Sequence, residues 1–278
     1  MSSARSEHSL SVCLPHCSWI PERRKSLARI QAALHLGPPA TWPASLVSPD
    51  PGKRPAGFVS YAQFADREPR WEWSRKLWGW CVEQPVTHCL VIADDTMLGP
   101  HALATVLAMI EAVPDRAIGL TSQHPTAPKL FHDGTRWYKA ASPWLVGWAY
   151  LLPRPMLAAF LEWRDVQSRQ LLEGDVGADD QLINAFLASK GTTTWHPTLT
   201  PFDHDLALDS AMGHPIETKG RREPSTKVPW HIHPWRGTAE PCDPPPWCKP
   251  EWWSVVGDPP VLSVPPSEES WREWESAQ

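Results

Sequence analysis

Thr87-His88-Cys89-Leu90-Val91-Ile92-Ala93-Asp94-Asp95-Thr96-Met97-Leu98 is an apolar run that ends abruptly in two adjacent carboxylates. A short unbroken stretch of Leu, Val and Ile is the pattern of a strand covered on both faces, and the carboxyl end of such a strand is where open α/β sheets hold their ligands. The Asp pair therefore has two readings. It is a ligand site at a strand end, or it caps the helix predicted from His101 to Ala112, because an Asp side chain satisfies free N–H groups of a first helical turn.

The flanking sequence alternates in the same way. Ser9 to Leu14 reads as a first strand, and Glu22 to Leu36 as a helix with Leu27, Ile30, Ala33 and Leu34 on one side, stopped by Gly37-Pro38-Pro39. Trp42 to Gly57 is punctuated by Pro and Gly, and Phe58 to Phe64 leads into a helix around Glu72 to Glu83. Beyond the Asp pair come a strand at Ala117 to Leu120, a loop at Thr121 to Lys129, and strands at Gly134 to Ala141 and Trp144 to Leu152. Helices follow at Pro155 to Trp163 and Asp179 to Lys190, then a strand at Thr192 to His196. Such alternation predicts α/β layers.

From about His214 onward the character changes. The remaining 65 residues hold 13 prolines and seven tryptophans with almost no periodic apolar pattern, too little to build a separate core. Trp-rich sequence is unusual for simple disorder, so the expectation is an extended tail whose indoles dock on the main domain or on a partner, its final dozen residues mobile. The domain division expected is 1–214 and 215–278.

A chain of 278 residues is long enough for a substantial core, and a net charge of −5 gives no whole-chain attraction to nucleic acid or membrane. Arg67, Arg70, Arg75 and Lys76 are interleaved with Trp71, Trp73, Trp78 and Trp80, which reads most plainly as an amphipathic helix with solvated charges. Met1 to Ser11 carries no signal-peptide core, and no apolar run approaches the roughly 18 residues that cross a bilayer. A cytoplasmic location is the expectation. Six cysteines are too few and too irregular for a disulfide scaffold, and Cys13-Leu14-Pro15-His16-Cys17 lacks a partner pair. Cys242 and Cys248 with His231 and His233 suggest zinc, but their spacing matches no standard knuckle.

Three further segments follow the Asp pair in order. Ser142-Pro143-Trp144-Leu145-Val146-Gly147-Trp148-Ala149-Tyr150-Leu151-Leu152 is a strand with a small residue, Gly147, that permits close approach. Gly174-Asp175-Val176-Gly177-Ala178-Asp179-Asp180-Gln181-Leu182 is an acidic cluster opening a helix, fit for plain capping or for proton abstraction. Trp195-His196-Pro197, continuing through Phe202-Asp203-His204 to Ser210, is a late strand and Pro leading to a His.

Taken together, these segments resemble the glycosyltransferases of the GT-A fold, over about residues 9 to 214, and look most like bacterial and phage-type enzymes near families 2 and 25. The resemblance implies an α/β fold with a Rossmann-like mixed sheet flanked by helices. The activity it implies is that of a metal-dependent, hexosyltransferase-like enzyme using a nucleotide-diphospho-sugar donor and a divalent cation, Mn²⁺ or Mg²⁺. By the same resemblance, Asp95 and His204 are metal ligands, and Asp94 serves the ribose or a metal-bound water. Asp180, in preference to Asp179, is the catalytic base, and Arg23, Arg24 or Lys25 meet the diphosphate. Two departures stand out: the acidic motif is Ala93-Asp94-Asp95, without a third carboxylate or an Asp-X-Asp form, and no acidic uracil-reading residue follows the first strand. The acceptor implied is any hydroxyl, on a glycan, a protein or a modified DNA base. The competing readings are a metal-dependent nucleotidyltransferase or hydrolase, and a non-enzymatic module whose Trp side chains stack on sugars or unpaired bases.

Overall fold

The computed structural model describes residues 8–16, 21–34, 44–48, 60–63, 70–98, 101–121, 124, 126–145, 149–171, 179–199, 202–204 and 246–263. In chain order the elements are β1 (Leu10–Pro15), α1 (Pro21–Ala33), β2 (Ala44–Ser48), β3 (Ser60–Gln63), α2 (Arg70–Glu83), β4 (His88–Ile92), β5 (Thr96–Leu98), α3 (Ala102–Ala112) and β6 (Ala117–Gly119). There follow α4 (Ala127–His132), β7 (Trp137–Ala140), β8 (Ala149–Pro153), α5 (Arg154–Leu171), α6 (Asp179–Ser189), β9 (Thr194–Pro197) and β10 (Phe202–His204). Two 3-10 turns, Pro246–Cys248 and Pro250–Trp253, precede β11 (Val261–Leu262).

Nine strands form one mixed sheet in the order β11-β7-β9-β6-β8-β4-β1-β2-β3, and β5 pairs with β10 in a separate ribbon. The half β3-β2-β1-β4 is entirely parallel, whereas β8 runs antiparallel to both β4 and β6. Chain order reverses direction across the sheet between β1 and β4, which makes the crevice outside their carboxyl ends the topological switch point.

The period of two along β4 divides its side chains between two cores. Leu90 and Ile92 join Leu10, Val12 and Leu14 of β1 under α1 and α3, while Cys89 and Val91 turn to the face covered by α2, α5 and α6. Strand β4 is buried at every position, as its unbroken apolar sequence requires. Helix α2 packs Leu77 and Trp78 inward and leaves Arg75 and Lys76 exposed, Arg75 pairing with Asp165 at 2.6 Å, so this helix has the solvated charged face expected of it. The described cysteines are free thiols; Cys13 and Cys81 lie with their Sγ atoms 2.7 Å apart in the α2 layer, where burial pushes the Cys13 thiol up.

Several elements differ from the sequence reading. The expected loop at Thr121 to Lys129 contains the start of α4, with Pro128 in its first turn, where a missing N–H costs nothing. Of the strand expected from Trp144 to Leu152, Trp144 and Leu145 are irregular and β8 is described from Ala149; Leu145 exchanges two backbone hydrogen bonds with the Asn184 side chain of α6, at 2.7 and 2.9 Å. Helix α5 runs eight residues past the predicted end at Trp163. Strands β5, β10 and β11, each two or three residues long, are too short to show a period. Gly147 lies outside the described residues. Among the described residues no helix is long and apolar enough to cross a membrane.

Residues 246–263 of the Pro- and Trp-rich segment pack on this sheet; the rest of 215–278, including the final dozen residues expected to be mobile, lies outside the described residues. Trp253 is completely buried against Trp137 and the α3 layer, Trp137 Nε1 donates to Trp253 O at 2.7 Å, and β11 adds to β7 in parallel. Cys248 is a half-buried thiol near Thr105 Oγ1, at 3.6 Å; Cys242, His231 and His233 lie outside the described residues.

One position in the sheet is unusually tight. Gly119 sits beside the ring of His196, which stacks on Tyr138 with 5.1 Å between centroids, and a Cβ at 119 would come within 2.4 Å of His196 Cε1. Gly119→Ala is expected to destabilise the fold by about 1–3 kcal/mol through overpacking, read from the urea midpoint. Burial also pushes the His196 imidazole down to about 4, below its ordinary value near 6.5. The folded state thus holds His196 neutral where the unfolded chain takes up a proton. Stability from this group is full above about pH 6.5 and is lost as pH falls toward 4, by on the order of 3 kcal/mol. Urea titrations between pH 7 and 4 are expected to show that component in the native protein and to lack it in His196→Gln.

Candidate functional site at the carboxyl edge of β1 and β4

Strand β4 ends at Ile92, and the next four residues form a tight turn in which Thr96 N donates to Ala93 O at 3.1 Å, with Asp94 and Asp95 at its corners. The capping interpretation of the pair is thereby removed. Strand β5 intervenes before α3, whose N-cap position is His101, without a side-chain cap.

The two carboxylates are held by groups from the neighbouring strand and helix. His16, the residue immediately after β1, donates from Nδ1 to Asp94 Oδ2 at 2.8 Å. Arg23, in the first turn of α1, spans both acids: its Nη1 pairs with Asp94 Oδ1, and its Nη2 with Asp95 Oδ2 at 2.8 Å. Asp94 is 1% exposed, Arg23 3%, His16 5% and Asp95 9%, so the network lies beneath the surface with Asp95 nearest to solvent. Charge-assisted bonds of this kind are what allow ionised groups to remain in such a place. The fork of the guanidinium matches two adjacent carboxylates as the point charge of a Lys would not.

The remaining sequence candidates fall at or near the same edge. β10 lies antiparallel to β5 with His204 opposite Thr96, so the backbone of His204 is beside the residue that follows Asp95; its side chain lies outside the described atoms, as does that of Asp179. Asp179 opens α6, and Asp180 Oδ1 accepts from the Gln181 N–H at 3.0 Å. The short connection from Ser189 to Thr194 sends α6 back along β9, which places its first residues toward the carboxyl edge of the sheet. Arg24 is exposed on the first turn of α1, whereas Arg23 is not.

Whether these residues suit a divalent cation is a question of free oxygen ligands. Mn²⁺ and Mg²⁺ take carboxylate oxygens, and two lie here side by side. Both oxygens of Asp94 and one of Asp95 are engaged by His16 and Arg23, and no group of three or more His, Cys, Asp or Glu able to hold a metal occurs among the described residues. As arranged, the acidic pair is matched to a guanidinium, and the side chain of His204, the other expected ligand, lies outside the described atoms.

His16 is the residue that sequence reasoning passed over as part of the site. The signal existed: it stands at the carboxyl end of β1 just as Asp94 does at the end of β4, and those strands are neighbours with Leu10 opposite His88.

Removing one member of this network leaves a buried charge without its partner. Asp94→Ala is expected to cost about 3–5 kcal/mol in urea denaturation, and the double variant Arg23→Met with Asp94→Leu to recover a large part of that loss. A loss under about 1 kcal/mol for Asp94→Ala would show that the network does not hold α1 to the β4–β5 turn.

Scanned against protein families and against curated proteins, the sequence finds no match. Among solved structures, the chain is similar to a mannosyltransferase from Pyrobaculum calidifontis in complex with GDP-Man and Mn²⁺, at 15% identity and a TM-score of 0.40. That match covers 67% of this chain and 54% of the other, so the chain spans about half the length of its neighbour. A likeness of this size carries no argument about function.

Proposed function

We propose that the chain is a glycosyltransferase of the GT-A type that takes a sugar from a nucleotide-diphosphate donor to a hydroxyl acceptor, with residues 1–214 as the catalytic part and 215–278 as an extension. The observation that supports this most is the position of the acidic turn. Asp94 and Asp95 stand at the switch point of a parallel β3-β2-β1-β4 half-sheet, with the first turn of α1 and Arg23 against them. A switch point is where open α/β sheets hold nucleotides, and a helix N-terminus with a guanidinium suits a diphosphate.

In this reading the donor lies along the carboxyl ends of β1 and β4. Asp94 and Arg23 are bonded to each other beneath the surface, so a ribose hydroxyl and the diphosphate reach them only as that pair opens, whereas Arg24 is already exposed on the first turn of α1. The acceptor hydroxyl attacks the anomeric carbon while its proton passes to a carboxylate at the start of α6, Asp180 in preference to Asp179. The bond from that carbon to the phosphate oxygen breaks, and its electron pair leaves with the diphosphate. Buried, preorganised donors are worth most where that charge develops. The assignment of Asp95 and His204 to a divalent cation requires Arg23 to release Asp95, and the metal arm of the experiment decides it.

Thermal shift against a panel of nucleotide-sugars, with and without Mn²⁺, tests the proposal on wild type and Asp95→Ala. One donor class at a hundred times its Kd is expected to stabilise wild type by about 2.7 kcal/mol, and Asp95→Ala to lose that gain. A shift that needs both Mn²⁺ and Asp95 supports the cation at Asp95, and its loss in His204→Ala as well supports His204 as the second ligand; an equal shift without Mn²⁺ leaves Arg23 as the counter-charge. No shift with any donor overturns the transferase reading.

A further inference from the structure

The sheet register extends the site edge well beyond Asp94. Val91 pairs with Tyr150, Tyr150 with Gly119, and His196 with Tyr138, while β6 and β9 run parallel with Ile118 opposite Trp195. Tracing that row places the start of β7, at Trp137, on the same edge as the end of β4. Between the residues that lead into β7 and the segment following Trp252 lies a cavity of about 380 Å³. Four interstrand steps of about 4.8 Å separate β4 from β7, so the cavity opens roughly 19 Å along the rim from the acidic turn.

The wall of this cavity combines an indole, apolar side chains and charged groups. Trp252 is half-buried beneath the Arg136 guanidinium, 4.0 Å from its ring centroid. The N–H groups of Trp137 and Trp253 are committed to the fold, donating to Trp253 O and Trp247 O at 2.7 Å each; Trp252 Nε1 is itself buried and turned away from the groove, so this indole offers the groove the exposed part of its ring and not its N–H. Val256 is 92% exposed, and three of the four large apolar side chains that stand out from the described surface, Val255, Val256 and Val261, belong to this segment. The fold gives no reason for that exposure.

The charge selects the ligand class. Asp133, Glu251 and Asp258 line the cavity against one cation, Arg136, while Lys129 and Lys139 pair with Asp133 and Asp258. There is no surplus of positive charge for a phosphodiester chain, whose binding depends on neutralising phosphates. An indole and apolar wall beside carboxylates suits a molecule with C–H faces and many hydroxyl groups.

We infer that this groove binds a neutral saccharide chain, as a subsite for the acceptor remote from the transfer centre. The acceptor role rests on the transferase reading above; the saccharide site does not. A site so far along the rim takes a chain of several sugar units, which excludes a single sugar or a nucleobase as the whole acceptor.

Saturation-transfer NMR on the full chain with maltotetraose, cellotetraose and β-1,4-mannotetraose, with a single-stranded DNA 12-mer as competitor, tests the inference. At least one tetraose is expected to bind, undisturbed by the DNA. Trp252→Leu and Glu251→Gln are each expected to weaken that binding about tenfold or more. Ser254→Arg, an exposed change that fills the groove without touching the core, is expected to abolish it even where Trp252→Leu fails to fold. Donor thermal shifts in the same Ser254→Arg sample are expected to equal wild type. Absence of binding by all three tetraoses, binding that survives Ser254→Arg, or displacement by the DNA would each overturn the inference. Tetraose binding in a protein that shows no donor shift keeps the saccharide site and removes only its role as acceptor subsite.

Discussion

A guanidinium placed under the surface beside two carboxylates fixes the geometry on which the carboxyl edge depends. Asp94 is almost completely enclosed, and a carboxylate there is tolerable only with its charge matched and its oxygens bonded. Arg23 and His16 meet both needs, and they come from the two segments that follow one another at the end of β1. The pairing ties the first turn of α1 to the turn after β4, so helix dipole, acidic turn and strand ends are held in register as a unit. A sheet with the same strands but no such tie would leave α1 located by the packing of Leu27, Ile30 and Leu34 alone.

Much of this architecture is written locally in the chain. Strand β4 is readable because each of its residues is buried, which leaves only apolar side chains and a buried His in the run. Helices α1, α2, α3 and α6 are readable because each carries an apolar stripe. The ribbon of β5 and β10 was not, since three residues do not make a period, yet that ribbon decides whether Asp94 and Asp95 cap a helix or corner a turn. A single hydrogen bond, Thr96 N to Ala93 O, separates those alternatives.

The candidate site was legible in part. The Asp pair stood out by its position after an apolar run, whereas Arg23 was one of three adjacent basic residues, with Arg24 and Lys25, assigned to a diphosphate, and nothing in the sequence set it against the acids. Their contact spans 71 residues, and that of His16 with Asp94 spans 78. No local pattern carries pairings at such separations; they exist only once β1 and β4 lie side by side. Within the Pro- and Trp-rich segment, residues 246–263 do dock, and their prolines explain how: a chain already restricted in the unfolded state loses less freedom when its indoles settle into place.

The parallel strand β11 also alters what the sheet presents to other molecules. Lys139 N and Ala141 N of β7 and its flank donate to Pro260 O and Leu262 O, so the last long strand of the sheet has no open row of hydrogen-bonding groups. The covering strand is only two residues long and is preceded by Pro259 and Pro260, neither of which has an N–H to offer. It ends the ladder and does not invite another strand to extend it. The segment therefore works as a terminator for β-sheet growth, and a chain shortened before residue 259 would leave a template for edge-to-edge pairing, with self-association, ahead of unfolding, as the first sign of its loss.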